Sequence, residues 1–168
     1  MVVIEIAILF VCTGNICRSP TAEGVARQGL TEAGLGARVA VDSAGLTGWH
    51  AGDPPDPRAV ACAAPRGYDL TTQCARAFEQ ADFERFALIL GMDRHHVQDL
   101  RKLQGDIAQK DARGQIRLFL DFLPPGDPQL GCDVPDPYYG DMSDYELSLD
   151  LIERGTPGLI EALKRDFL

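Results

Sequence analysis

The sequence predicts an α/β fold: one domain with a parallel sheet covered by helices on both faces. Two observations carry that expectation. Ile6–Val11 is a short, continuous apolar run with the pattern of a strand buried on both faces, and Phe86–Leu90 and Ile116–Leu120 are further apolar runs. These runs alternate with segments of helical period, the order that builds parallel sheets. At 168 residues, 45% of them hydrophobic, the chain has the size of one domain with one substantial core. No internal repeat or linker divides it, so a single domain is expected over 1–168.

The elements follow in order. Ile6–Val11 is the first strand and runs into a polar loop. Thr21–Ala33 reads as a helix, with Pro20 suited to its first turn and Gly34 to its end. Val39–Val41 is a short second strand, closed by Asp42-Ser43-Ala44-Gly45. Leu46–Pro57 is rich in Gly and Pro and reads as a surface loop. Asp56 followed by Pro57 starts a helix and Gly67 stops it, with Pro65 fraying its last turn. Phe86–Leu90 is the third strand, Arg94–Leu103 a helix, and Ile116–Leu120 the fourth strand. Leu123–Tyr139 holds five prolines and can only be a loop. Ser143–Arg154 and Pro157–Phe167 close the chain as helix, interrupted near Gly155.

Composition narrows the function. A formal net charge of −9 makes nucleic acid and an anionic membrane poor partners, so an anionic substrate must find a local positive site. The five cysteines form no Cys-x-x-Cys pair and no metal spacing, which suits a reducing cytosol. The apolar start, Val2–Val11, has no basic leading segment and carries Glu5, unlike a signal sequence. No run approaches the ~20 apolar residues of a membrane span. A soluble, cytoplasmic protein is expected.

The chemistry sits in Cys12-Thr13-Gly14-Asn15-Ile16-Cys17-Arg18-Ser19, between a buried strand and a helix. Ligands of open α/β folds bind at the carboxyl ends of strands. A helix starting near Arg18 offers unpaired amides and the positive end of its dipole. Gly14 and Asn15 tolerate positive φ and can turn successive amides inward as an anion nest. Arg18 adds a planar fork for two phosphate oxygens. A thiol with the ordinary pKa of ~8.5 is mostly un-ionised at neutral pH, and such a nest favours its thiolate. The amides that hold the thiolate would then hold the phosphoryl oxygens during attack on phosphorus. The loop lacks the Gly-Lys-Ser/Thr ending of a nucleotide-binding loop.

Expelling the leaving group of a phosphate ester needs a proton donor. Composition places it among the carboxylates between Asp127 and Asp144 without choosing one, although Pro135 and Pro137 stiffen the segment around Asp136.

Cys12–Pro20 resembles the signature of the low-molecular-weight protein tyrosine phosphatases. The resemblance continues through Asp42-Ser43-Ala44-Gly45, Trp49-His50, Met92-Asp93, Val134-Pro135-Asp136-Pro137-Tyr138-Tyr139-Gly140, Ile152-Glu153 and Gly158-Leu159. It implies a flavodoxin-like, four-stranded parallel sheet and hydrolysis of phosphotyrosine and other aryl phosphate monoesters through a phosphocysteine, with no metal or cofactor. Implied roles are Cys12 as nucleophile, Arg18 on the phosphate and Asp136 as general acid and base. Thr13, Gly14, Asn15, Ile16, Cys17 and Ser19 would form the phosphate loop. Asn15 would keep it in its strained shape, Ser19 would stabilise the thiolate and Ser43 would support them. Trp49, Tyr138 and Tyr139 match an aromatic rim. The resemblance also implies a reversible Cys12–Cys17 disulfide, tyrosine-phosphorylated proteins or small aryl phosphates as partners, and a monomer or weak dimer.

One position departs from the family. Gln73 stands where many relatives carry a histidine that bonds the loop asparagine, and its amide is expected to substitute. Cys62, Cys74 and Cys132 read as inert, and the adjacent His95 and His96 point apart and make no metal site. Two competing readings remain. An arsenate reductase would need relay cysteines that Cys62, Cys74 and Cys132 do not supply. A non-catalytic phosphoprotein-binding module would have lost the nucleophile, the arginine or the acid, and all three are present.

Overall fold

The computed structural model describes residues 3–106 and 114–168; Val2, at the head of the apolar start, lies outside them. Four parallel strands form one sheet: β1 (Ile6–Cys12), β2 (Val39–Gly45), β3 (Leu88–Gly91) and β4 (Gln115–Leu118), in the order β2-β1-β3-β4. The helices are α1 (Arg18–Glu32), α2 (Pro57–Ala63), α3 (Asp82–Arg85), α4 (Arg94–Gly105) and α5 (Met142–Asp166).

The side-chain alternation of β1 divides the core. Ile8 and Phe10 face one side with Leu88 and Leu90, under α1, α2 and α5. Leu9 and Val11 face the other with Ile89, against Phe83 of α3 and Val97 and Leu100 of α4. Burial on both faces explains why these strands read as unbroken apolar runs. The chain leaves β1 for β2 on one side and later crosses to β3 on the other. The end of β1 is therefore the switch point of a flavodoxin-like sheet, where ligands bind.

Several boundaries differ from expectation. α1 begins at Arg18 rather than Thr21, because the Thr21 hydroxyl and amide both donate to the Cys17 carbonyl, at 2.7 and 3.3 Å. Pro20 then falls in the first turn, where a missing N–H costs nothing. β2 does not stop at Val41 but pairs with β1 as far as Gly45 opposite Cys12. A Cβ at Gly45 would lie 2.9 Å from the Thr13 carbonyl oxygen, so only glycine lets the two backbones meet there. β3 begins at Leu88 rather than Phe86. Phe119 and Leu120 lie in a 3-10 turn, Phe119–Phe122, and not in β4.

The final helix is continuous. Pro157 sits inside α5, and Gly155 and Gly158 let the helix press onto that 3-10 turn. A Cβ at Gly155 would meet the Phe119 ring at 2.9 Å, and one at Gly158 would meet the Phe122 carbonyl oxygen at 1.9 Å. Tertiary packing here overrides the helix-breaking residues. At α2 the expectation holds: Asp56 caps the helix, Ala64–Arg66 tightens to 3-10, and Gly67 ends it with φ 89°.

Candidate active site

The loop from Cys12 to Ser19 joins β1 to α1 and lines an open cleft of 340 Å³. Cys12, Thr13, Gly14, Ile16, Cys17 and Arg18 line it from the loop, and Asp136 with Trp49, Tyr138 and Tyr139 from two other loops. Asn15, Ser19 and Ser43 lie behind the loop, all buried. His50 joins the wall, with its ring 3.0 Å from where a Gly14 Cβ would stand. Gly14 thus does not use positive φ, and a side chain there would crowd the His50 ring. Asn15 alone among the described non-glycine residues has positive φ, 59°.

The Asn15 side chain explains how that strained backbone is kept. Its amide nitrogen donates to Ser19 Oγ at 2.8 Å and to Ser43 Oγ at 2.9 Å, and its oxygen accepts from the Arg76 amide at 3.0 Å. Because Ser19 Oγ accepts from Asn15, its own proton is free for Cys12 Sγ, 2.9 Å away. Ser43 in turn donates to Glu23 Oε2 at 2.6 Å. Burial pushes the Glu23 carboxyl up, against this hydrogen bond and the charge of Arg27.

Gln73 does not take the part expected of it. Its amide nitrogen donates to the Pro20 carbonyl at 2.8 Å, and its Oε1 is buried without a protein hydrogen-bond partner among the described residues. The Arg76 backbone holds Asn15 instead. The Arg76 guanidinium is anchored by Asp42 and Asp82 at 2.9 and 3.0 Å.

Arg18 is buried, and its Nη1 donates to Asp93 Oδ2 at 2.9 Å and to the Val134 carbonyl at 3.0 Å. The Val134 amide donates to the Met92 carbonyl at 2.9 Å, which docks the Asp136 loop on the end of β3. Asp136 Oδ2 then lies 3.6 Å from Arg18 Nη2, and its Oδ1 accepts from the Tyr138 amide at 3.2 Å. The cleft therefore has a thiol at its floor, a guanidinium beside it and a half-exposed carboxylate at its rim. Trp49 and Tyr139 are 80% and 94% exposed, leaving their faces free for a flat ligand.

Several members of the site carried no assigned role in the sequence. Asp93 caps α4 through the His96 amide and holds Arg18; burial alone would raise its carboxyl, but the His96 amide and Arg18 bring it below the usual range. His96 is buried while its neighbour His95 is exposed. Arg58 grips Asp56 with two nitrogens, at 3.0 and 2.9 Å, and donates to the Tyr138 carbonyl at 3.0 Å. Its guanidinium lies 5.5 Å from the Tyr138 ring centre and 4.9 Å from that of Tyr145. The signals were Asp93 three residues before His96, a capping spacing, and Arg58 two residues after the capping Asp56.

Cys17 is also buried, with Sγ 3.4 Å from the Tyr145 hydroxyl. Burial pushes its thiol up to about 12, against the Tyr145 hydrogen bond, which favours the thiolate. Cys12 and Cys17 are both free thiols.

Comparison with known proteins bears directly on this arrangement. Residues 7–167 match the family described as low molecular weight phosphotyrosine protein phosphatase. The chain belongs to that family. It is 43% identical over 160 residues to a low molecular weight protein-tyrosine-phosphatase of Streptomyces coelicolor, covering 94% of this chain and 93% of the relative. A protein tyrosine phosphatase from Entamoeba histolytica, with Hepes in its active site, superposes with a TM-score of 0.87 at 31% identity, covering 97% and 99% of the two chains. A drosophila arginine phosphatase superposes with a TM-score of 0.85 at 26% identity, covering 95% and 98%. As a member of this phosphatase family the chain is a hydrolase. Among the described residues, no group of three His, Cys, Asp or Glu could hold a metal ion, and no helix is long and apolar enough to cross a membrane.

Proposed function

We propose that the chain hydrolyses protein phosphotyrosine and other aryl phosphate monoesters in two steps through a phosphocysteine. Cys12 Sγ attacks phosphorus while the loop amides and Arg18 hold the phosphoryl oxygens. Asp136 gives a proton to the departing phenolate, then takes one from the water that hydrolyses the thiophosphate. Ser19, with its proton free for Cys12 Sγ, stabilises the sulfur as nucleophile and again as leaving group. The observation that carries the reading is the convergence of Cys12, Arg18 and Asp136 on one cleft with an aromatic rim. The rim of Trp49, Tyr138 and Tyr139 favours an aryl ester over a phosphoguanidine.

The family resemblance extends the proposal to Cys17. Hydrogen peroxide would oxidise the Cys12 thiolate to a sulfenic acid, itself reduced to water, and the sulfenic acid would condense with the Cys17 thiol, forming a disulfide and releasing water. Cytoplasmic residence fits such reversible protection.

The experiment is an acid-quenched single turnover. Phosphotyrosine should leave its phosphoryl group on Cys12. Asp136→Asn should slow its formation by about 10²-fold, the scale of general-acid catalysis, with a smaller loss for nitrophenyl phosphate, whose phenolate leaves without a proton. Absence of the adduct would overturn the two-step reading, and an equal loss for both esters would remove Asp136 as the acid. Faster turnover of phosphoarginine than of phosphotyrosine would overturn the aryl preference.

A further inference from the structure

Of the three histidines only His96 is buried, and the two-step mechanism gives it no task. Its hydrogen bonds fix its tautomer. Nδ1 accepts from the Asp93 amide at 3.2 Å, so the proton of the neutral ring is on Nε2. Nε2 lies 2.9 Å from Thr13 Oγ1 and therefore donates to it. A hydroxyl has one proton, and Thr13, accepting from the ring, keeps its own free for the cleft it lines. The His96 amide meanwhile donates to Asp93 Oδ1 at 2.9 Å, leaving Asp93 Oδ2 for Arg18 Nη1 at 2.9 Å. One residue at the start of α4 thus touches both the nucleophile's neighbour and the partner of the phosphate-binding arginine.

We propose that His96 is a positioning residue of the phosphate site: its ring directs the Thr13 hydroxyl proton toward bound phosphate and, through Asp93, steadies Arg18. The proposal rests on reading Cys12–Ser19 as a phosphate loop. The alternative role, a helix cap and nothing more, uses only the Nδ1 side of the ring. The two sides are separable. An asparagine amide oxygen takes the place of Nδ1 but is too short to reach Thr13, whereas a glutamine nitrogen takes the place of Nε2.

The test measures inorganic phosphate as a competitive inhibitor, with thermal unfolding alongside. His96→Asn should keep the melting temperature near that of the parent yet weaken phosphate binding about fivefold to tenfold, the scale of one lost hydrogen bond. Thr13→Val should cause a similar loss, and the double variant should be no worse than either alone. His96→Gln should bind phosphate more nearly as the parent does. Acid gives a second readout. The groups around the ring are Asp93, which caps α4, Asp99 of α4, Arg18 of α1 and Asp136 of the rim loop, and burial holds the imidazole neutral down to about pH 4. A proton on Nδ1 would break the Asp93 amide contact and turn to Asp93 Oδ1, 3.3 Å away, drawing on the carboxylate that holds Arg18. From about pH 6 to about pH 4 the parent should therefore lose more phosphate affinity than His96→Asn, which does not titrate.

Phosphate binding within twofold of the parent in a folded His96→Asn would overturn the proposal, as would losses that multiply in the double variant. Should His96→Asn fail to fold, unchanged binding in Thr13→Val decides against it equally. A parent that binds no phosphate competitively fails the loop reading itself, which is a different observation.

Discussion

Two cysteines five residues apart in one loop have different hydrogen-bond partners. Both line the cleft, but Cys12 lies beside a serine whose proton is free for its sulfur, while Cys17 lies against the Tyr145 hydroxyl. In the proposed disulfide closure the attacking species is the Cys17 thiolate, scarce because burial pushes that thiol up to about 12. Below that value each pH unit multiplies the thiolate tenfold. Closure, followed by peptide mapping after a peroxide pulse is stopped with catalase, should thus accelerate steadily between about pH 6 and about pH 9. Tyr145→Phe should slow it, since the tyrosine hydrogen bond favours the thiolate. A pH-independent rate, or sulfinic acid on Cys12 with Cys17 free, would defeat the protective role. At this scale Cys12, Arg18 and Asn15 were legible because the loop is contiguous in sequence. The holder of Asn15 was not, because it is a backbone amide at Arg76, and a backbone donor leaves no side-chain signature. Gln73 misled for the same reason: a side chain able to bond does not reveal which of two nearby acceptors it meets.

Among the elements, α2 ties one wall of the cleft to another. Its cap Asp56 orients Arg58, whose other contacts include the carbonyl and ring of Tyr138 and the ring of Tyr145. Asp136 holds the Tyr138 amide on the other side, so this rim residue is fixed at both ends of its peptide unit. Arg58→Lys keeps the charge but loses the fork and the planar face. The expected result is a KM for phosphotyrosine raised about threefold to tenfold, consistent with losing one or two modest contacts. Inhibition by inorganic phosphate, which has no ring to grip, should stay unchanged. A parallel loss of phosphate binding would mean that Arg58 acts on the anion site and not on the rim. The existence and order of the strands and main helices were readable from period and punctuation. Their ends were not, where tertiary contact decided: Gly45 prolongs β2 by close approach to Thr13, and Gly155 and Gly158 carry α5 past Pro157 by seating it on the 3-10 turn. α3, a single turn of four residues, is too short to leave a periodic signal.

For the whole molecule, the decisive property is a conflict of charge. The chain carries a formal net charge of −9, yet its cleft is built to receive a phosphate dianion. The attraction is local, from Arg18 and the loop amides, and part of it is spent on Asp93, which already neutralises that guanidinium at 2.9 Å. Beyond the cleft an approaching anion meets a repulsive field. That field reaches about 10 Å at 0.1 M salt and about 30 Å at 0.01 M, whereas contacts inside the cleft are screened far less. Encounter and chemistry should therefore respond to salt differently. With a free aryl phosphate, kcat/KM should rise as sodium chloride is added from low ionic strength, because screening removes the long-range repulsion, while kcat stays nearly constant. A phosphotyrosine peptide flanked by lysines should behave oppositely, since the same field draws it in and salt weakens the draw. An uncharged viscogen and a neutral peptide of equal length separate this effect from slower diffusion and from peptide contacts at the rim. Chloride competing for the anion nest would lower kcat/KM for every substrate alike. Opposite slopes for the two substrates require the overall field, and parallel slopes would show that the local site alone governs encounter.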